Sequence, residues 1–195
     1  MQTRAASTVL AACAIALAAC SQTPETEKKE GSGHSVLAPL PDAAGYVPRI
    51  GKLVYVPVYS NIYWGFDGQS TELAATLSIR NVNLKHPIVV HSVKYYDSAG
   101  TLVREYVHAP STLAPMSTAD FVIQRRDTTG GPGANFLVQW SSPFDIDEPL
   151  IESVMIGQHG NAGISFSGMG RVLPKASEEL FPIPGRGPSQ PNRER

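Results

Sequence analysis

Two packed antiparallel β-sheets are what this chain predicts, on three observations. From residue 51 to about 173, apolar side chains recur with a period of two. Clusters of Gly, Pro, Asp and Ser break these runs at regular spacing. No stretch within them carries a convincing amphipathic helix.

The elements follow in order. Residues 53–59 (LVYVPVY) form a strand, and Pro57 marks it as an edge because proline donates no ladder hydrogen bond. Residues 73–80 alternate: Leu73, Ala75, Leu77 and Ile79 face the core, while Thr76, Ser78 and Arg80 face out. Residues 88–96 form the next strand. Asp97-Ser98-Ala99-Gly100 turns the chain, and residues 101–107 return beside it. Residues 119–124 follow. An open loop, Gly130-Gly131-Pro132-Gly133, precedes residues 136–140, where Trp140 belongs to the core. Residues 151–156 and 164–172 complete seven or eight strands. This is the pattern of an immunoglobulin-like antiparallel β-sandwich; a small closed β-barrel is the alternative.

Both ends read differently from the middle. Residues 1–19 form an export signal: Arg4 is the only charge, and the apolar run from Val9 is too short to span a bilayer. The signal ends in Leu17-Ala18-Ala19-Cys20, which resembles a lipobox. The resemblance implies diacylglycerol and a further acyl chain (a palmitate-type anchor) on Cys20, and two or three chains hold a protein at a membrane durably. Ser21, rather than Asp, at the second mature position favours the outer membrane of a Gram-negative envelope, with the domain in the periplasm. Residues 20–50 read as the lipidated Cys and a flexible tether. Residues 21–33 hold no apolar side chain larger than proline, so they bury too little to offset the entropy of ordering. About 28 such residues reach roughly 30 Å. Val36, Leu37, Leu40, Tyr46 and Val47 are placed for loose docking. Residues 174–195 read as a disordered Pro/Gly-rich tail, with one helical turn available at 175–180.

Composition narrows the partners. The chain carries 16 basic and 17 acidic side chains, and loss of Arg4 with the signal leaves a net charge of −2. No basic excess exists to neutralise phosphates, so nucleic acid is not an expected partner. Once Cys13 leaves with the signal, only Cys20 remains, and the domain folds without a disulfide.

Four blocks carry a family resemblance: residues 55–63 (YVPVYSNIY), 77–81 (LSIRN), 93–97 (VKYYD) and 130–136 (GGPGANF). They resemble bacterial lipoproteins carrying the domain of unknown function 3124, over most of residues 50–173. The resemblance implies one domain and an envelope address, and no activity.

Candidate chemistry is sparse. His91 shares a face with Val89 and Val93; a symmetric hairpin at Asp97–Gly100 sets it opposite Glu105, Tyr106 or Val107, with His108 nearby. No histidine pair has i, i+4 spacing, and structural or exposed roles are the expectation. Asp145, Asp147 and Glu148 cluster in a loop that lacks the full calcium pattern and reads as a solvated turn. Gly163-Ile164-Ser165-Phe166-Ser167 falls one glycine short of a nucleophile elbow. Tyr55, Tyr59, Tyr63, Trp64 and Phe66 form the strongest binding hint: Tyr55 and Tyr59, four apart on a strand, share a face that suits a glycan or an added peptide strand.

The leading reading is a non-catalytic, lipid-anchored envelope module that needs no cofactor. It would bind an envelope protein or a cell-wall glycan through Tyr55, Tyr59, Tyr63 and Trp64. The runner-up is an envelope hydrolase or metal-binding enzyme using His91, His108 and nearby carboxylates. A metal carrier or sensor is a third class.

Overall fold

The computed structural model describes residues 36–65 and 67–182. The export signal, Cys20, the first part of the tether, Phe66 and residues 183–195 lie outside the described residues. Twelve strands and one helix are described: β1 (Ala38–Pro39), β2 (Ile50–Pro57), β3 (Asn61–Tyr63), β4 (Ser70–Arg80), β5 (Ile88–Tyr96), β6 (Leu102–Val107), β7 (Ser111–Leu113), β8 (Thr118–Ile123), β9 (Asn135–Ser142), β10 (Leu150–His159), β11 (Ala162–Met169), β12 (Arg171–Val172) and α1 (Pro174–Leu180).

Every pairing is antiparallel, and the strands form two sheets. One runs β1-β7-β5-β9-β2-β12, with β6 on β5 beside β7; the other runs β11-β10-β4-β3, with β8 on β4 beside β3. The architecture is a β-sandwich, not the closed barrel. The eight long strands answer the sequence-predicted runs. The short ones, β1, β3, β7 and β12, hold two or three residues each, too few to display a period.

The core is the set of inward alternates. Leu73, Ala75, Leu77 and Ile79 of β4 are buried as expected, against Val56, Phe136, Val138 and Trp140 of the opposite sheet. Ser78 is buried although it alternates outward, because Arg80 folds back over it and pairs with Glu152 at 3.2 Å. Asn81, at the end of β4, is buried too. Its amide nitrogen donates to the carbonyls of His86, Leu113 and Ala114 at 3.0–3.1 Å, and its oxygen accepts from the Asn83 amide.

Three expectations change. First, β2 is not an open edge. The Val58 amide bonds Ala134 on the β9 side, so alternation turns the nitrogens of Leu53, Tyr55 and Pro57 the other way. On that side Ser177 Oγ of α1 accepts from Leu53, β12 covers Val54 and Tyr55, and Pro57, lacking a donor, ends the strand just beyond β12. Strand addition at β2 is blocked.

Second, the first residues of the expected tail are folded. Pro174 occupies the opening helical turn, where its missing N–H costs nothing, and Ser177 ties α1 to β2 while donating to the Leu173 carbonyl. Phe181 then lies over Gly51, where any Cβ would collide with its ring.

Third, docking at the N-terminal end is closer than loose contact. The Tyr46 hydroxyl lies 2.7 Å from Ser141 Oγ, and the Leu40 amide bonds the Pro110 carbonyl.

Candidate functional site

The four aromatic residues singled out by sequence divide between surfaces. Tyr55 is half-buried on the outer face of the larger sheet, in register with Leu137 and Arg171. Tyr59 does not share that face. β2 ends at Pro57, and residues 58–60 carry the chain across to the other sheet, where Ser60 bonds Leu73. Tyr59 lies at this seam, edge-on to Phe166 of β11 with ring centres 5.6 Å apart.

Trp64 follows β3, and its amide bonds the Gln69 carbonyl across the β3–β4 hairpin. Its indole lies 4.7 Å from the His159 imidazole, tilted by 32°. His159 is held by Thr71, whose Oγ1 lies 3.0 Å from Nδ1. Tyr63 is 71% exposed, Trp64 44% and Tyr59 37%. The structure therefore sets Tyr59 and Trp64 against side chains of the β10–β11 hairpin, turns Tyr63 to the opposite face of the sheet in register with Ser70, and leaves Tyr55 apart. His159 and Phe166, which orient the two rings, lie about a hundred residues downstream, and no local pattern announces them.

His91 takes a different place. It is the extra residue of a β-bulge between Val90 and Ser92, a device that re-aims one side chain. Its Nε2 lies 2.7 Å from Ser141 Oγ, which also meets the Tyr46 hydroxyl. Tyr46 and Phe181 flank the imidazole, at 6.0 and 5.5 Å between ring centres. Burial pushes the His91 pKa below the ordinary imidazole value and the Tyr46 pKa above the ordinary phenol value, the Ser141 bond opposing the latter. Ser141 is fully buried, so this serine–histidine pair presents no accessible nucleophile.

The bulges also shift the hairpin register. Val93 faces Val107 and Lys94 faces Glu105, so Glu105 is not opposite His91. His108 turns to Glu105 at 3.9 Å, so the two histidines take separate partners. Asp145, Asp147 and Glu148 are exposed. Among the described residues no three His, Cys, Asp or Glu side chains are placed to hold a metal ion.

The glycine loop is a structural clasp. The Gly131 amide donates to Ser60 Oγ at 2.8 Å, Ser98 Oγ donates to the Gly130 carbonyl at 2.9 Å, and the Gly133 amide donates to Ser98 Oγ. Gly131 has φ +74°, which an L side chain rarely adopts. The Tyr95 hydroxyl is buried against Gly130 with no hydrogen-bond partner among the described residues. Burial first, then the charge of Asp127, pushes its pKa up to about 12. Three of the four blocks that carry the family resemblance thus meet at one end of the sandwich.

The family model described as "Protein of unknown function (DUF3124)" matches residues 51–173. No curated protein matches the chain. A solved structure, "Crystal Structure of Thermotoga maritima 1070", is similar at 10% identity, over 63% of this chain and 95% of that one, with a TM-score of 0.37. At that score the likeness carries no argument.

Proposed function

From the premise that the chain belongs to the DUF3124 family, proteins of unknown function, we propose a non-catalytic binding module, tethered to the cell envelope by lipid on Cys20, that recognises a cell-wall glycan. One observation carries the reading: Trp64 is a large, partly exposed ring mounted on a rigid frame, and Tyr63 stands exposed on the other face of the same β3–β4 hairpin. The Gln69 carbonyl fixes the Trp64 backbone, and the Thr71–His159 pair stands beneath the indole. Exposed aromatic rings on well-ordered backbone contribute contact area at low entropic cost, and their apolar faces suit the C–H faces of sugar rings. A tether anchored at Cys20 would let the module reach the wall from the membrane.

Two experiments test this. Sedimentation of the full chain with purified peptidoglycan sacculi should retain the protein, and Tyr63→Ala with Trp64→Ala should lower retention at least tenfold. Equal retention of the double variant would remove the aromatic group from the function. For the anchor, Cys20→Ser should move the protein out of the membrane fraction; tight membrane retention with normal processing would refute lipidation.

A further inference from the structure

Among the described residues the two sheets have six terminal strands, and five carry a feature that discourages pairing with another chain. β1, β3 and β12 are only two or three residues long, β6 carries Arg104 and Glu105, and β8 carries Asp120. β11 is the exception. It runs eight residues, and from Gly160 to Gly170 the chain holds neither a charge nor a proline.

Its hydrogen-bonding direction is fixed by the pairing with β10. The Gly170 amide bonds the Ile151 carbonyl, in register with the rest of the ladder. Alternation then points the amides of Ile164, Phe166 and Gly168 at β10. Those of Gly163, Ser165 and Ser167 point off the sheet, with their carbonyls, and have no partner among the described residues.

We infer that β11 pairs antiparallel with β11 of a second copy of this chain, about a two-fold axis at Ser165. That axis sets Ser165 against its own symmetry mate, and Gly163 against Ser167 of the partner subunit, in the relation where both backbone bonds are exchanged. It also sets Phe166 against Ile164 of the partner subunit in the closer, non-hydrogen-bonded relation. Aromatic–β-branched pairs there are stabilising, and both side chains are only half-buried in the single copy. The strand's lack of charge means that self-pairing brings no like charges together. The chain's own ends are poor occupants. Residues 183–195 include Pro184, Pro188 and Pro191, each lacking a donor, and residues 21–33 are charged and glycine-containing.

The test uses the full chain in detergent. Sedimentation across micromolar to hundreds of micromolar should show a monomer–dimer equilibrium. Ser165→Pro removes a donor that no intrachain bond uses, so it should shift the equilibrium to monomer while leaving the unfolding midpoint near that of the parent. Ser165→Lys, which keeps the backbone intact and brings two like charges together at the axis, should do the same if the proline variant folds poorly. Ser165→Cys should give a disulfide-linked dimer absent from the parent run alongside, because hydrogen-bonded cross-strand pairs have Cα atoms about 5.5 Å apart, within disulfide reach. A monomer over the whole range, or a dimer untouched by both substitutions, would overturn the inference.

Discussion

Replacing Asn81 with alanine removes one buried polar group that joins three segments. The amide nitrogen has two hydrogens and three carbonyl acceptors, at 3.0 Å from His86 and 3.1 Å from Leu113 and Ala114, so one bond is shared. The surroundings decide the magnitude. Leu113 is fully buried, so its carbonyl loses a partner that water cannot replace, whereas Ala114 is exposed and His86 only partly covered. One full desolvation penalty of about 1–3 kcal/mol, plus about 0.5 kcal/mol for each of two bonds partly replaced by water, gives a loss of about 3 kcal/mol. In a domain of this size that lowers Tm by about 10 °C. Urea unfolding followed by tryptophan fluorescence reads it directly, since Trp140 is fully buried while Trp64 is already partly exposed. A loss below about 1 kcal/mol would refute the claim that this amide pins the end of β4 to the segments at 86 and 113–114. Asn81→Asp adds a sign test. A carboxyl facing three carbonyls titrates above its unfolded value. Its deficit is therefore smallest below the unfolded carboxyl pKa and grows as pH rises through the folded one.

The remaining predictions concern the covered faces and the loop. Burial lowers the His91 pKa, so the native state favours the neutral imidazole; stability should be full above about pH 6.5 and decline as pH falls below it. His91→Gln should flatten that slope in a pH series of unfolding free energies, and an unchanged slope would assign it to another group. Ser177→Ala removes the hydroxyl that serves both Leu53 and Leu173; it should cost about 1 kcal/mol and speed amide exchange at Leu53. Gly131→Ala meets a positive φ and Ser98 Oγ at 2.7 Å, and should cost about 1–2 kcal/mol in the same unfolding assay.

The alternation at Leu73–Ile79 made the layers legible, because side chains two apart share a face whatever the rest of the chain does. Pro57 was informative in a narrower sense than an edge: it marks where β2 stops and the chain changes sheets. The signal for that crossover is the buried Ser60, which bonds Gly131 and Leu73, and both partners are distant in sequence. The pairing of β5 with β6 escaped a symmetric-turn count because bulges add residues on one side only. The Tyr46–Ser141–His91 contact had no local trace, since each residue sits in an unremarkable context. Of the aromatic group, the exposure of Tyr63 and Trp64 was not legible in residue type, and neither was the Thr71–His159 pair beneath the indole.

Tyr46 and Phe181 flank the same imidazole, although one stands near the start of the described chain and the other near its end. Between these two residues the described chain is nearly a loop in space, closed by side chains instead of a peptide bond. A circular permutant opened at the Asp97–Gly100 turn, with a glycine-rich joint spanning this closure, should assemble the same two layers. A reporter fused beyond Phe181 would emerge beside His91, on the sheet opposite the one carrying Tyr63.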